Sequence, residues 1–101
     1  MQAIRRGTTP PIHFTTDIEE ADIEVMYISF EQSGEIKIEK TKQNAVWDET
    51  GFTITLSQAE TLLLSEGFCD VQIRARLITT QAPATSIFTL LVEDVLKEGV
   101  I

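Results

Sequence analysis

The single histidine and the single cysteine are the first candidates for catalysis or metal binding. His13 lies beside Phe14 in a segment with strand-like residues, and no nucleophile motif accompanies it, so we expect a structural histidine at a strand edge rather than a general base. Cys69 and His13 together are too few for a zinc site, which needs four ligands or three and a water. Cys69 is expected to be a buried, inert thiol at the start of a strand.

A cluster of carboxylates offers the strongest metal candidate in the sequence. These carboxylates, with Glu24 just after them, are Asp17, Glu19, Glu20 and Asp22. Calcium takes six to eight oxygen ligands, and closely spaced acids supply several of them. The glycine and terminal glutamate of an EF-hand loop are missing, so the default expectation is a solvated loop and no bound metal.

No other pattern in the chain points to catalysis or to a cofactor. Paired acids can hydrolyse glycosides, but that reaction needs a groove lined with aromatics, and strand faces account for most of the seven aromatic residues. The five glycines are isolated from one another, so none forms a phosphate-binding loop. We therefore predict a protein that is not an enzyme and has no cofactor.

The net charge of the chain limits the classes of molecule that it is expected to bind. The formal net charge is −8, and no basic stripe offsets it, so nucleic acid and anionic membranes are not expected partners. The same charge is also explained by solubility alone. A lone cysteine excludes an intrachain disulfide, and neither a signal peptide nor an apolar stretch long enough to span a bilayer is present. We expect synthesis and folding in a cytoplasm.

Short strand-like segments separated by turn residues predict an all-β sandwich or barrel in a single domain over residues 1–101. The predicted strands are Ile12–Thr16, Ile23–Gln32, Glu35–Lys40, Ala45–Asp48, Phe52–Leu56, Asp70–Thr79 and Thr85–Val92. Pro10 and Pro11 place the first of them at an edge or delay its start. Ile23–Gln32 is apolar on both faces, so it is expected to be central or covered on both sides.

Alternation predicts which side chains face the core. The inward residues are expected to be Ile36 and Ile38 in one strand, Phe52, Ile54 and Leu56 in another, Val71, Ile73, Ala75 and Leu77 in a third, and Phe88, Leu90 and Val92 in the last. Ser57 and Glu60 form a capping box, which predicts a short helical crossover near Ser57–Leu64 that Gly67 ends.

Three residues are candidates for contacts with partners. Arg5 and Arg6 form a basic pair on an acidic protein and could complement carboxylates of a neighbouring subunit. Trp47 near a hairpin end could be an exposed anchor of the type enriched at interfaces. The opposite interpretations are solvated terminal arginines and a tryptophan in the core.

The order of several short motifs resembles one known family. They are Ile4-Arg5-Arg6-Gly7-Thr8-Thr9-Pro10 before a strand with Phe14, Phe30-Glu31-Gln32 at a strand end, Leu56-Ser57-Gln58-Ala59-Glu60-Thr61, Val71-Gln72-Ile73-Arg74-Ala75-Arg76 and Asp94-Val95-Leu96. This order resembles the N-terminal domain of phage baseplate upper proteins and related short prophage proteins of Gram-positive bacteria.

The resemblance implies an immunoglobulin-like antiparallel β-sandwich that serves as a virion structural protein in a tail or baseplate. It implies other virion proteins as partners, with a homo-oligomer open, and a location in the host cytoplasm before assembly and in the virion after it. In that family a longer C-terminal region carries receptor-binding proteins; we expect a docking or accessory role without that function for this chain, and no catalytic residue is carried over. The alternative function is a stand-alone immunoglobulin-like module that binds a small molecule or carbohydrate in an aromatic-lined pocket.

Overall fold

The computed structural model describes residues 2–85 and 87–101, which form eight strands and one α-helix. In chain order the elements are β1 (Ala3–Arg5), β2 (Pro11–Thr15), β3 (Ile23–Gln32), β4 (Glu35–Thr41), β5 (Ala45–Asp48), β6 (Gly51–Thr55), α1 (Gln58–Leu62), β7 (Gly67–Leu77) and β8 (Phe88–Glu93). Single 3₁₀ turns, Glu20–Asp22 and Lys42–Asn44, precede β3 and β5.

The strands form two sheets packed face to face. One sheet has the order β1-β8-β7-β3-β4 and the other the order β2-β6-β5. This division of strands between the layers is that of an immunoglobulin-like sandwich, so the predicted all-β sandwich is confirmed. One strand pair departs from the antiparallel expectation, because β1 runs parallel to β8. These strands lie near opposite ends of the chain, so no short hairpin constrains them to run antiparallel.

The core lies between the sheets and is built from alternate residues of each strand. Phe14 of β2 joins the layers: its ring stacks on Phe52 of β6 at 5.1 Å and meets Phe88 of β8 at 5.6 Å between centroids. The fully or nearly buried apolar residues are Ile4, Ile12, Phe14, Ile23, Met26, Ile28, Phe30, Ile38, Phe52, Ile54, Leu56, Leu64, Cys69, Val71, Leu90 and Val92.

Several sequence expectations are confirmed by this arrangement. Strand β3 is central, with β7 and β4 on its two sides, and β2 lies at a sheet edge as Pro10 and Pro11 predict. The inward face of β6 consists of Phe52 and Ile54, and Leu56 directly after the strand is also buried.

One expected core residue is on the surface. Ile38 is buried, but Ile36 is exposed because the register between β3 and β4 shifts between Phe30 and Glu31. Phe30 pairs with Ile38, whereas Glu31 pairs with Ile36, so Lys37 is the extra residue of a β-bulge. A β-bulge shifts the alternation of side chains between the two faces of the strand by one residue. Alternation in the sequence alone does not show where such a shift occurs.

Element boundaries also differ at three places. The predicted last strand begins at Phe88 rather than at Thr85, since Thr85 bonds instead to Ile73 of β7, and Ser86 lies outside the described residues. Gly67 opens β7 and does not end the helix, which stops at Leu62. Strand β1 was not predicted, because its three residues are too few for an alternating pattern.

The helix begins as the capping box predicts and crosses between the sheets. The Ser57 hydroxyl accepts from the Glu60 N–H at 3.1 Å, and the Glu60 carboxylate accepts from the Ser57 N–H at 2.8 Å. The buried Thr61 hydroxyl accepts from the Gly7 N–H and donates to the Thr8 carbonyl, each at 3.0 Å. Thr61 therefore fixes the helix to the segment between β1 and β2.

Among the described residues, no helix has the length and apolar character needed to cross a bilayer.

Candidate protein-docking surfaces

An apolar patch lies on the outer face of the five-stranded sheet. Phe68 of β7 pairs with Leu91 of β8, and Leu91 pairs with Ala3 of β1, so the three side chains lie side by side on one face. Phe68 is 65% exposed and Leu91 36% exposed. We call Ala3, Phe68 and Leu91 the outer-face patch. An exposed aromatic ring grouped with apolar neighbours makes this patch a candidate protein-docking surface.

Trp47 lies at the edge of the core, between the two interpretations that its sequence position allowed. Its ring packs on Phe52 with centroids 4.8 Å apart, and the residue is half-buried. Its indole Nε1 is buried and finds no hydrogen-bond acceptor within residues 2–85 and 87–101. A buried donor without a partner costs about 1–3 kcal/mol, so this N–H is a feature that needs an explanation.

Trp47 lines a cavity between the sheets, which we call the inter-sheet cavity. Its volume is about 190 Å³. One wall consists of Phe14, Phe52 and Trp47 from the smaller sheet. The rest of the lining is Thr15, Thr16, Ile18, Ile23, Met26, Ile73, Ala75, Pro83, Ala84 and Thr85. The side chains of Ala75 in β7 and of Pro83 and Ala84 after it are small, and this leaves the space open.

An acidic groove adjoins this cavity and shares Thr16, Ile18 and Trp47 with it. Its charged lining consists of Asp17, Glu19, Glu20, Asp48 and Glu49, with no basic residue, and we call these five the acidic groove. The Asp48 carboxylate accepts from the Thr50 hydroxyl, which is the main reason why its pKa is lowered, with the Thr50 N–H as the next cause.

The calcium candidate does not assemble in the structure. Asp17, Glu19 and Glu20 line the groove, whereas Asp22 lies in the 3₁₀ turn and outside that lining. Over residues 2–85 and 87–101, no three acids, histidines or cysteines are grouped so that they could hold a metal ion. Close spacing of these acids in the sequence therefore did not produce a set of ligands that converge on one point.

The arginine pair forms ion pairs within its own chain. Arg5 contacts Glu93 at 3.0 Å, and Arg6 contacts both Asp94 and Glu98. The Arg6 Nε also donates to the carbonyl of Leu64 at 2.7 Å, and its side chain is only 16% exposed. Arg6 thus ties the C-terminal segment to the end of the helix. A contact from either arginine to a neighbouring subunit stays a prediction, with Arg5 the more exposed of the two.

The Arg6 ion pairs predict a pH-dependent stability. The guanidinium holds the pKa of Asp94 below its ordinary value, chiefly by a side-chain hydrogen bond. A carboxyl with a depressed folded pKa stabilises the protein above its unfolded pKa, near about 4, and loses this effect as pH falls through the folded pKa. We expect Arg6→Met to lower Tm at pH 7, and the gap from wild type to narrow below about pH 4. Thermal unfolding at pH 7 and at about pH 3 measures the difference in Tm between Arg6→Met and wild type. An equal difference at the two pH values would contradict the role of the Arg6–Asp94 ion pair.

His13 makes a surface network that lacks the order of a catalytic triad. Its ring nitrogens lie 3.1 Å from the Thr53 hydroxyl and 2.9 Å from the Thr50 hydroxyl. Asp48 bonds to Thr50 at 2.7 Å but lies 3.9 Å from the ring. The acid thus engages the hydroxyl rather than orienting the imidazole, so the arrangement does not match an acid, base and nucleophile in series.

Cys69 is buried, as expected, and its chemistry follows from that position. Its thiol lies in the core between the sheets, and burial raises its pKa to about 11. The thiolate is the reactive form of cysteine, and very little forms at neutral pH. We expect native protein at pH 8 to react with Ellman's reagent at least about 100-fold more slowly than protein in 6 M guanidinium. Equal rates in the two states would place the thiol at the surface.

The outer-face patch and the inter-sheet cavity are the candidate functional features that the sequence pattern did not indicate. The position of Phe68 next to Cys69 places it on the opposite face of the strand, so the expected burial of Cys69 could have indicated an exposed aromatic ring. The cavity had no signal of its own in the sequence apart from the compact residues Pro83 and Ala84. No protein-family model and no curated protein matches the chain.

Proposed function

We propose that this chain is a structural protein of a phage or prophage particle, in the tail or baseplate, that acts by docking onto other virion proteins. The observation that carries the proposal is the outer-face patch, where the aromatic ring of Phe68 is 65% exposed beside Leu91 on a regular sheet. Burying such a ring against a partner contributes about 1.5–3 kcal/mol. The resemblance of the chain to baseplate proteins supplies the class of partner.

The sheet edges favour docking through a face rather than through added strands. The exposed edge strand β4 carries Glu35, Lys37, Glu39 and Lys40, and β2 at another edge begins with Pro11. Charges and prolines on edge strands oppose pairing with a further strand. The proposed contact is therefore made by the outer face rather than by these two edges.

The proposal includes no catalytic step, cofactor, nucleic acid or membrane. A net charge of −8 opposes contact with phosphate backbones and with anionic lipid. The protein is made in the host cytoplasm and ends in the particle.

The test follows the chain into assembled particles. Particles released from the producing cells are purified on a density gradient and probed for this chain with an antibody. We expect the chain to sediment with tails, and Phe68→Ser to reduce its incorporation at least about tenfold with little change in Tm. Tyr27→Ser on the same outer face is the matched control and should be incorporated normally. A chain found only outside the particles would refute the proposal.

A second candidate function is supported by the inter-sheet cavity. A stand-alone immunoglobulin-like module that binds a small molecule or carbohydrate needs an aromatic-lined pocket, and Phe14, Phe52 and Trp47 line one here. Its volume of about 190 Å³ is below the roughly 300–1,000 Å³ of most small-molecule sites. Titration with simple sugars and small aromatics, followed by Trp47 fluorescence, tests this function; saturable binding would support it.

A further inference from the structure

The inter-sheet cavity has the size of one amino-acid side chain. Its volume is about 190 Å³ and its lining is mostly apolar. An apolar cavity of about 150 Å³ is known to hold benzene, so a branched aliphatic or aromatic side chain fits here. The cavity therefore suits a side chain of a polypeptide.

The residues around the cavity favour a positive charge on that polypeptide. The acidic groove shares Thr16, Ile18 and Trp47 with the cavity, and its charged lining is entirely carboxylate. A cation next to the inserted side chain would lie against these acids, whereas an anion would be repelled. The expected occupant is thus an apolar residue followed or preceded by Lys or Arg.

This chain presents such a pair at the other end of the sandwich. Leu96 is exposed over its whole surface, and the exposed Lys97 follows it. Lys97 takes part in none of the ion pairs found within residues 2–85 and 87–101. Val95 lies beside Gly7 and so turns toward the body of the protein, which leaves Leu96 pointing outward.

The segment that carries Leu96 is held in place on both sides. Arg6 binds Asp94 before it and Glu98 after it. The Gln58 amide of the helix then bonds to the backbone N–H of Ile101 at 2.8 Å and to its carbonyl at 3.3 Å. A side chain presented by an ordered segment loses little conformational entropy on docking, which favours binding.

We propose that Leu96 of one copy inserts into the inter-sheet cavity of a second copy, with Lys97 against the acidic groove of that copy. The inference names a partner for the docking function proposed above. Leu96 follows the end of β8 that pairs with Gly67, whereas the cavity is lined by Ala75 near the other end of β7. These ends are about 26 Å apart at the rise of a strand, so one chain cannot fill its own cavity. The contact is head-to-tail and leads to a ring or an open filament.

The first experiment measures self-association by two independent signals. Sedimentation velocity over a concentration series gives the size, and the fluorescence of Trp47, the only tryptophan, reports on the cavity. We expect both signals to change together with concentration. Leu96→Ser should raise the dissociation constant at least about tenfold, since a buried leucine side chain is lost. Leu63→Ser, the same change at an exposed leucine of the same end, should have no effect.

The second experiment separates a head-to-tail contact from any other. Leu96→Ser removes the inserted side chain, and Ala84→Leu fills the cavity from its exposed rim. Each variant alone should be monomeric, and an equal mixture should form a 1:1 dimer and nothing larger. Raising NaCl from 50 to 500 mM should weaken this dimer by about two- to fivefold, as Lys97 lies against acids.

Several results would overturn the inference. A wild-type chain that stays monomeric at all concentrations does so, as does self-association unchanged by Leu96→Ser. A Trp47 signal that responds only to an added small molecule or foreign protein assigns the cavity to another occupant. None of these results bears on whether the chain enters particles through the outer-face patch, so the two proposals fail separately.

Discussion

Phe30→Ala is expected to lower the free energy of unfolding by about 3–5 kcal/mol. Phe30 is 0% exposed near the C-terminal end of β3, opposite Val71 of β7 and Ile38 of β4. Removing the ring loses its transfer free energy and leaves a cavity that the two packed sheets cannot close. Domains of this size have about 5–15 kcal/mol in total, so the variant should approach the unfolding threshold. Urea denaturation checks this result through the midpoint, with an unchanged slope.

Phe68→Ala is the matched control for that experiment. The substitution is the same, the residue lies on the neighbouring strand β7, and its ring is mostly exposed. We expect a loss below about 1 kcal/mol, which is within the range of strand propensity alone. Equal losses for the two variants would mean that Phe30 and Phe68 are not on opposite faces of the sheet. A folded Phe68→Ala protein would also show that the outer-face patch is not needed for stability.

Gly51→Ala is expected to destabilise the protein by about 3–5 kcal/mol through a close approach of two strands. Gly51 opens β6 with φ of 151°, and a Cβ there would lie 2.0 Å from the carbonyl oxygen of Phe14. The same Cβ would lie 3.0 Å from the Thr16 nitrogen. Both contacts are with backbone, so β2 would have to move away from β6. Thermal and urea unfolding measure the loss.

Gly67→Ala separates the clash from the cost of the backbone angle. Gly67 has φ of 123°, but a Cβ there meets nothing within 4 Å among the described residues. Its substitution should cost only the backbone strain, about 1–3 kcal/mol. If Gly51→Ala lost no more than Gly67→Ala, the close contact between β2 and β6 would be refuted.

The two surfaces proposed for docking differ in how far their residues also support the core. Ala3, Phe68 and Leu91 project from a regular sheet, so their variants leave the core intact. Trp47 packs on Phe52 and belongs partly to the core, which is why Ala84 at the rim is the better place to block the cavity. An assembly protein with a face contact and an end contact could connect to unlike and like neighbours at once.

Local rules account for the elements that the sequence alone determined. The strand β3 was predicted with its observed bounds because a segment rich in β-branched and aromatic residues ends at the turn Ser33-Gly34. The helix start was predicted because Ser57 and Glu60 satisfy each other's backbone N–H groups, a contact made within four residues. The inward face of β6 followed from alternation along five residues without a bulge. Each of these outcomes depends on neighbours in the chain.

Only the tertiary structure decided the features that depend on distant residues. Strand β1 exists because β8, almost ninety residues later, provides its hydrogen-bond partner, and three residues carry no pattern of their own. The arginines, for which the sequence left open either contacts with a partner or simple solvation, are held by Glu93, Asp94 and Glu98. The outer-face patch and the inter-sheet cavity arise from strand order and sheet packing. Periodicity reports which face a residue takes on its own strand, whereas only the folded arrangement determines which strands stand beside it and where they leave space.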